Sequence, residues 1–438
     1  MTTAHEPRPQ PKRLHRTPTT LPGWPTPNRF DDDPYPGGPR ILFVGHSDST
    51  HTHAWVDLLK GAPFNVRVFA LPDGVPPDDW PVRTYVTATT TEQLDPRTRE
   101  RLYAADRVRR YPKKGYARFI LRGPTLEERW LARVIRDWRP DVIHTLGLDP
   151  ASAFYYRVRH TFDLQSIGRW VLHIWGGADL MPTHFDADAA SRASAMMSEC
   201  DQLLDDNEQG FNTARRLGVH ADQLATIGIV PGTGGVEVDT IRELWDGPPS
   251  SRRVIVWPKA YECPWSKSLP VLEALTLCWD RIAPCELYML AVQPETRMWF
   301  HSLPERIKQH CHIAERIPRN ELLSLMARAR VMLAPSLVDG TPNTLLEAMA
   351  AGALPIVSPL ETIRSIVRDG EHVLFARNLY PDDIARALER AMCDDVLVDR
   401  AAEANLVVVR RLADREVIGP RVREWYMQLA SSSPRGSA

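Results

Sequence analysis

Two carboxylates and two lysines in the second half of the chain stand at spacings that would let them act on an anionic ligand. Asp339 and Glu347 are separated by seven residues in the stretch from Arg330 to Ser358, RVMLAPSLVDGTPNTLLEAMAAGALPIVS. Carboxylates flanking a loop can accept hydrogen bonds there. Upstream, Lys259 follows the apolar run Val254-Ile255-Val256-Trp257, and Lys267 precedes an apolar segment that starts at Leu269. A strand, a loop and a helix with lysines at the strand end and just before the helix make a geometry for a diphosphate.

The elements that must hold these residues can be read from the same stretches. Val331 to Ala334 is short and apolar, as a strand buried on both faces should be. Asp339-Gly340 and Pro342-Asn343 break it. Thr344 with Glu347 three residues on predicts a capping-box start for a helix from Leu345 to Ala351, ended by Gly352. Leu354 to Val357 is the next parallel strand. Such a unit aims the N–H groups of a helix start, here near Asn343 and Thr344, at the carboxyl edge of a sheet. The plain alternative is that Glu347 serves only the capping box and Asp339 only a turn.

The run D-G-T-P-N-T-L-L-E-A-M-A-A-G-A-L-P-I-V-S resembles the signature of retaining glycosyltransferases of the GT-B fold, family four (glycosyl transferases group 1). Its usual form there is E-G-x-P-x-x-L-x-E-A-M-A-x-G-x-P-V. Asp339 stands where that family has glutamate. The resemblance implies that Glu347 holds the ribose hydroxyls of a nucleotide and Asp339, beside Gly340, the hydroxyls of a donor sugar. It implies that main chain near Arg316 and Ile317 meets the base. The family presents Arg and then Lys-Gly to phosphate oxygens where this chain has Lys259 and Lys267. Lysine keeps the charge but not the planar fork.

In the first half, Arg40 to Val44 begins the order with a buried strand, a helix spans His53 to Lys60, and Val66 to Ala70 is a second strand. The loop G-H-S-D-S-T-H-T-H between them puts hydroxyls and three histidines at a strand's carboxyl end. The resemblance implies that this loop lines the cleft, which makes Ser47 and His51 acceptor-side candidates and His51 a catalytic one. Relatives often carry a Gly-Gly pair here that this chain lacks. Trp175-Gly176-Gly177-Ala178-Asp179 resembles the family's H-G-S-D or W-G-S-D corner, with one glycine more and Trp175 where a histidine is common. Trp175 and Asp179 are thus acceptor-side candidates, Asp179 equally a cap of the following turn. His173 points the other way if its strand alternates. The segment from Cys200 to Val238 resembles the family's close of the first domain.

At 438 residues the chain is too long for one core, so two domains are expected. The net charge of −1 gives no global argument for nucleic acid. Hydrophobic content is 43%, and no apolar run is long enough to span a membrane. The six cysteines lack C-x-x-C pairing, which suits reduced thiols in a cytoplasm. Between Arg97 and Arg122 ten lysines and arginines face only Glu100 and Asp106, with tyrosines and Phe119 interleaved. Such a run is usually a solvated face, yet it suits docking on anionic headgroups at the inner face of a membrane. No nucleic-acid motif accompanies it.

The expected architecture is α/β: two doubly wound Rossmann-like domains of the GT-B type facing a central cleft. Residues 1–38 read as a disordered arm in which Asp31-Asp32-Asp33 is a solvated charge run. The first domain spans 39–245, D-G-P-P-S-S at 246–251 is the linker, and the second domain runs to 414. A helix at 415–430 crosses back, and 431–438 is a disordered tail. The implied activity is retaining glycosyl transfer from a nucleotide-diphospho-sugar to a hydroxyl of a glycan, glycolipid or small molecule, with no metal and no cofactor. Another GT-B enzyme, such as an epimerase, or a non-catalytic binding subunit stays open at this point.

Overall fold

A computed structural model of the chain describes residues 31–71, 74–77, 79–86, 98–100 and 124–432. Most of the basic stretch between Arg97 and Arg122, residues 1–30 and the end of the tail lie outside the described residues.

Two parallel sheets form the frame. The first comprises β1 (Arg40–Gly45), β2 (Asn65–Ala70), β3 (Arg83–Val86), β4 (Thr98–Glu100), β5 (Val142–Leu146), β6 (Arg169–His173) and β7 (Gln202–Leu204), in the order β4-β3-β2-β1-β5-β6-β7. The second comprises β8 (Val254–Trp257), β9 (Glu286–Met289), β10 (Cys311–Ile313), β11 (Ala329–Ala334), β12 (Leu354–Val357) and β13 (Leu374–Phe375), in the order β10-β9-β8-β11-β12-β13. Their central strands are apolar without alternation because both faces are covered: Ile41 to Val44 and Val331 to Leu333 are fully buried. In each sheet the order reverses beside the first strand, between β1 and β5 and between β8 and β11. Open α/β sheets bind ligands in the crevice outside such a reversal. The start of the helix after β1 and the loops after β8 and β11 carry His51, Lys259 and Asp339 to those crevices.

Several expectations change. The helix before β12 starts at Asn343, not Leu345, and Pro342 is its N-cap with no side-chain cap. The carbonyl of Pro342 receives the N–H groups of Leu345 and Leu346. Thr344 therefore lies inside the first turn, and the Thr344–Glu347 capping box does not form. The helix after β1 spans Thr50–Val56, capped by Ser49, so His51 sits in its first turn rather than in a loop. A helix over Asp395–Ala413, which the sequence patterns do not announce, packs on the helix Asn343–Ala351.

The carboxylates at 31–33 are not all a solvated run. Asp33 pairs with Arg40 at 2.7 Å and Arg67 at 3.2 Å, and accepts the indole N–H of Trp138 at 2.9 Å. These partners hold its carboxyl below the usual range although burial opposes them. Residues 31–38, assigned above to the arm, thus include anchored ones, and Tyr35 exchanges hydrogen bonds with Asn65.

The domain boundary at 245/246 moves toward the amino terminus. Val238 and Ile241 are buried among second-domain residues such as Leu345 and Met349, and Trp245 lies over Gly352. The 246–251 segment is no linker: Pro249–Ser251 forms a turn packed on the helix Asp395–Ala413. The chain instead crosses at 231–236. It returns at Asp414, and the helix Arg415–Ala430 inserts Ile418, Val422, Trp425 and Tyr426 into the core under β1 and β5. The two crossings lie side by side, with Val236 N–H donating to Ala413 O at 2.7 Å and Arg415 N–H to Val236 O at 2.9 Å.

Candidate active site

The loop after β8 and the loop after β11 meet. Lys259 Nζ lies 2.6 Å from Asp339 Oδ2. Burial alone would lower the lysine's pKa, but the Asp339 carboxylate, with Tyr261 and Cys263, outweighs it and the net shift is upward. Lys259 is therefore a charged ammonium at neutral pH. Asp339 Oδ1 accepts the N–H of Gly340 at 3.1 Å, and its main-chain carbonyl receives the hydroxyl of Thr362. Tyr261 stands in the same group, its phenol pushed up chiefly by burial. The carbonyl of Trp265, on the same loop, accepts Leu337 N–H at 2.7 Å, which fixes the approach of 337–340 to β8.

Glu347 is 5% exposed on the buried side of its helix. Its Oε1 takes Arg319 Nε and Nη2, each at 3.0 Å. Burial raises its pKa against the pull of Arg319 and Lys259. No motif in the sequence singles out Arg319. At the start of the same helix, the Thr344 hydroxyl is buried without a hydrogen-bond partner among the described residues, while Asn343 Oδ1 accepts the hydroxyl of Thr233 from the crossing segment. Lys267 is farther out and pairs with Glu262 at 2.8 Å; Glu262 also receives the N–H and hydroxyl of Ser268. Arg316 is exposed on the loop before the helix Arg319–Arg328, and Ile317 packs against the second-domain core.

The first domain supplies the opposite wall. His51 lies against Trp175, ring centroids 5.3 Å apart, and its pKa is lowered by burial and then by Lys259. Lys259 and Asp339 both lie near enough to act on the imidazole, in opposite directions. Ser47 is buried, its hydroxyl unpartnered among the described residues and its carbonyl 2.6 Å from His53 Nε2. Asp179 Oδ2 accepts the N–H groups of Trp175 at 2.9 Å and Leu148 at 3.0 Å, so it braces the corner from behind. Burial pushes its carboxyl up to about 6. His173 is fully buried beneath Trp175 and Trp55, held at about 3 by burial and by His51.

The extra glycine of the W-G-G-A-D corner has a steric reason. A Cβ on Gly176 would lie 3.1 Å from Gly340 N, and one on Gly177 3.0 Å from Asp339 O. A Cβ on Gly340 would lie 2.3 Å from Gly176 Cα. Main chain thus meets main chain where the two domains close. Asp206, at the end of β7, joins this contact: Oδ1 accepts Asn207 Nδ2 at 2.7 Å and Thr341 N–H at 3.4 Å. Burial pushes Asp206 up to about 7. Sequence reasoning misses it; the available signal is D-D-N at a strand end.

Likeness to solved structures decides the fold. HepE from Anabaena in complex with UDP-glucose superposes with a TM-score of 0.65 at 12% identity, over 89% of this chain and 99% of that one. Sucrose-phosphate synthase from Thermosynechococcus elongatus gives 0.63 at 16% identity, over 90% and 100%. The fold is GT-B. Residues 295–406 of this GT-B chain match the family described as Glycosyl transferases group 1. Phosphatidyl-myo-inositol mannosyltransferase from Mycobacterium tuberculosis is 26% identical over 212 residues, 46% of this chain and 54% of that protein. The GT-B chain thus spans about half the length of the curated relatives it matches. Among its described residues no helix is long and apolar enough to cross a membrane.

Proposed function

We propose that the chain is a retaining glycosyltransferase that moves a sugar from a nucleotide-diphospho-sugar to a hydroxyl acceptor. The observation that carries this reading is the Lys259–Asp339 pair at the reversal point of the second sheet, beside a helix N-terminus and opposite His51 and Trp175. Lys259 and the N–H groups at Asn343 and Thr344 would bind the diphosphate, with Lys267 at the outer edge. Fixed positive charge and dipoles there stabilise the negative charge that develops on the leaving diphosphate. Glu347, anchored by Arg319, would take the ribose hydroxyls. Asp339 would take hydroxyls of the donor sugar.

In this reading the anomeric C–O bond to the diphosphate breaks as the acceptor oxygen bonds to the same carbon on the same face. The acceptor's proton passes to the leaving phosphate oxygen, and no protein nucleophile is required. The family match and the likeness to a protein solved with UDP-glucose support a nucleotide-sugar donor. The basic stretch from Arg97 to Arg122 would dock the protein on anionic membrane.

The test is a thermal-shift screen of nucleotide diphosphates and nucleotide sugars, followed by assay of diphosphate release. A ligand present at one hundred times its Kd stabilises the fold by about 2.7 kcal/mol, a readable shift. Turnover in excess chelator is expected to persist. No stabilisation by any nucleotide would overturn the reading, and loss of turnover restored by magnesium or manganese would overturn its metal-free phosphate site.

A further inference from the structure

Where the chain runs from β12 to β13 it passes the last turns of the helix Asp395–Ala413, and between them lies a cavity of about 290 Å³. Arg364, Arg368, His372 and Arg411 line it, together with Val367 and Val408. A second hollow, with Pro359, Phe375 and Arg377 on its walls, adjoins the first through Arg364, Val367 and Arg368, which the two share. Lys259, Asp339 and Glu347 line neither hollow.

The cations here are all arginines, and the carboxylates beside them are already engaged. Asp369 Oδ1 accepts Phe375 N–H at 2.8 Å, Glu371 pairs with Arg368 at 3.3 Å, and Asp383 is shared by Arg377 and Arg386. Arg364 and Arg411 pair with no carboxylate among the described residues. Arg364 is nonetheless held in place. Its Nε donates to Pro359 O at 3.0 Å and its guanidinium lies over the Phe375 ring at 5.4 Å, which leaves both Nη groups without a protein acceptor among the described residues. His372 is 7% exposed, and its Nδ1 accepts Arg368 N–H at 3.2 Å. The neutral ring therefore carries its proton on Nε2, where Glu371 Oε1, at 3.8 Å, is too far to accept it. Arg368 and Arg411 both act on this imidazole, so the cations converge on it.

Two guanidiniums without counter-ions beside a free N–H match a dianion. The planar fork of arginine takes phosphate oxygens in pairs, and a phosphate on an organic hydroxyl carries about −1.5 to −2 charge at neutral pH. A monocarboxylate would leave one guanidinium unmatched. Val367 and Val408 offer the carbon end of an ester an apolar wall, and a concave cavity suits a small molecule better than a flat bilayer. We propose that Arg364, Arg411 and His372 form a site for a small, soluble phosphate monoester, distinct from the donor site. Thr362, on the same short helix as Arg364, donates its hydroxyl to Asp339 O at 3.0 Å, so the two sites are neighbours and the test must separate them.

The experiment is phosphorus NMR on the full chain with glycerol 3-phosphate as the probe, at about 150 mM salt, where exposed charges are screened over about 8 Å. Saturable binding is expected. It should weaken at least tenfold in the double variant Arg364→Gln with Arg411→Gln, and less in Arg364→Lys, which keeps the charge without the fork. Both arginines are exposed, so the fold stands in these variants, which the melting temperature verifies. The double variant Lys259→Gln with Lys267→Gln should bind the probe as the parent does, and acetate at equal concentration should not displace it. Absence of saturable binding, equal binding by the parent and the arginine double variant, or displacement by acetate would overturn the proposal. Loss of binding in the lysine variant instead would assign the phosphate to the donor site. Vesicles of phosphatidic acid present the same group on a surface. Arginine-dependent sedimentation with them, in a parent that ignores glycerol 3-phosphate, would give the site to a lipid and overturn the soluble ligand.

Discussion

Arg319 occupies one oxygen of Glu347 and thereby fixes the carboxylate's orientation. Glu347→Gln should lower affinity for nucleotide, with or without a sugar, by about ten- to a hundredfold, the worth of a charge-assisted hydrogen bond at roughly 1.5–3 kcal/mol. Calorimetry reads this directly, and because no capping box involves Glu347, a helix-start role gives no rival explanation. Asp339→Asn removes the carboxylate that holds Lys259. Affinity for a nucleoside diphosphate should not fall, while turnover with the nucleotide sugar should drop by a comparable factor. Asp206 yields a pH prediction. Its carboxyl is raised from the ordinary range to about 7 by burial. A raised acid stabilises the fold fully below the unfolded value, and that contribution is lost as pH rises through about 7. Asp339 and Asp179 also bear on it with negative charge, in the same direction. The melting temperature of Asp206→Asn minus that of the parent should therefore be larger at pH 8 than at pH 5. Asp339 and Glu347 are legible in the sequence because type and spacing coincide in one dense run. Asp206 is not, because its partner Thr341 lies 135 residues away in the other domain.

At the scale of elements, the sequence tells strand from helix where patterns are strong and loses ends where two local rules compete. Thr344 and Glu347 have capping-box spacing, but Pro342 already has the dihedrals of an N-cap, φ −66° and ψ 126°, and starts the helix earlier. Asp395–Ala413 escapes a sequence reading although Asp394 caps it through Leu397 N–H. Its stretch Leu406-Val407-Val408-Val409 is rich in β-branched residues, which weaken a helix signal. Tertiary packing overrides that weakness, since Val408 and Val409 are buried. The returning helix Arg415–Ala430 is tied by one phenol. Tyr426 Oη receives Trp55 Nε1–H at 3.0 Å and bonds His144 Nδ1. Tyr426→Phe leaves both groups buried and unpaired, so unfolding free energy should fall by about 1–3 kcal/mol or more. Chemical denaturation measures it, and an unchanged midpoint would show that these groups find other partners.

For the whole molecule, the contact between Gly340 and Gly176 sets how far the domains close. A methyl group on Gly340 would lie 2.3 Å from Gly176 Cα and 2.8 Å from Asp206 Oδ1. Gly340→Ala should hold the domains apart. Small-angle scattering should give a larger radius of gyration, and turnover should fall at least tenfold while nucleoside diphosphate still binds the second domain. Unchanged turnover would mean that catalysis does not need this contact. No local pattern marks such a seam, because each half of it reads as a turn.

The paired crossings between the domains have a mechanical consequence. Two strands of chain fastened to each other by Val236 and Ala413 act as the pin of a door. Gly235 admits this closeness, since a Cβ there would lie 2.3 Å from Ala413 O. Of the six ways in which two rigid bodies can move, such a pin leaves mainly one, a swing about its own axis. Spin labels placed on the rims of the two domains should therefore separate in proportion to their distance from residue 236, and labels beside it should stay still.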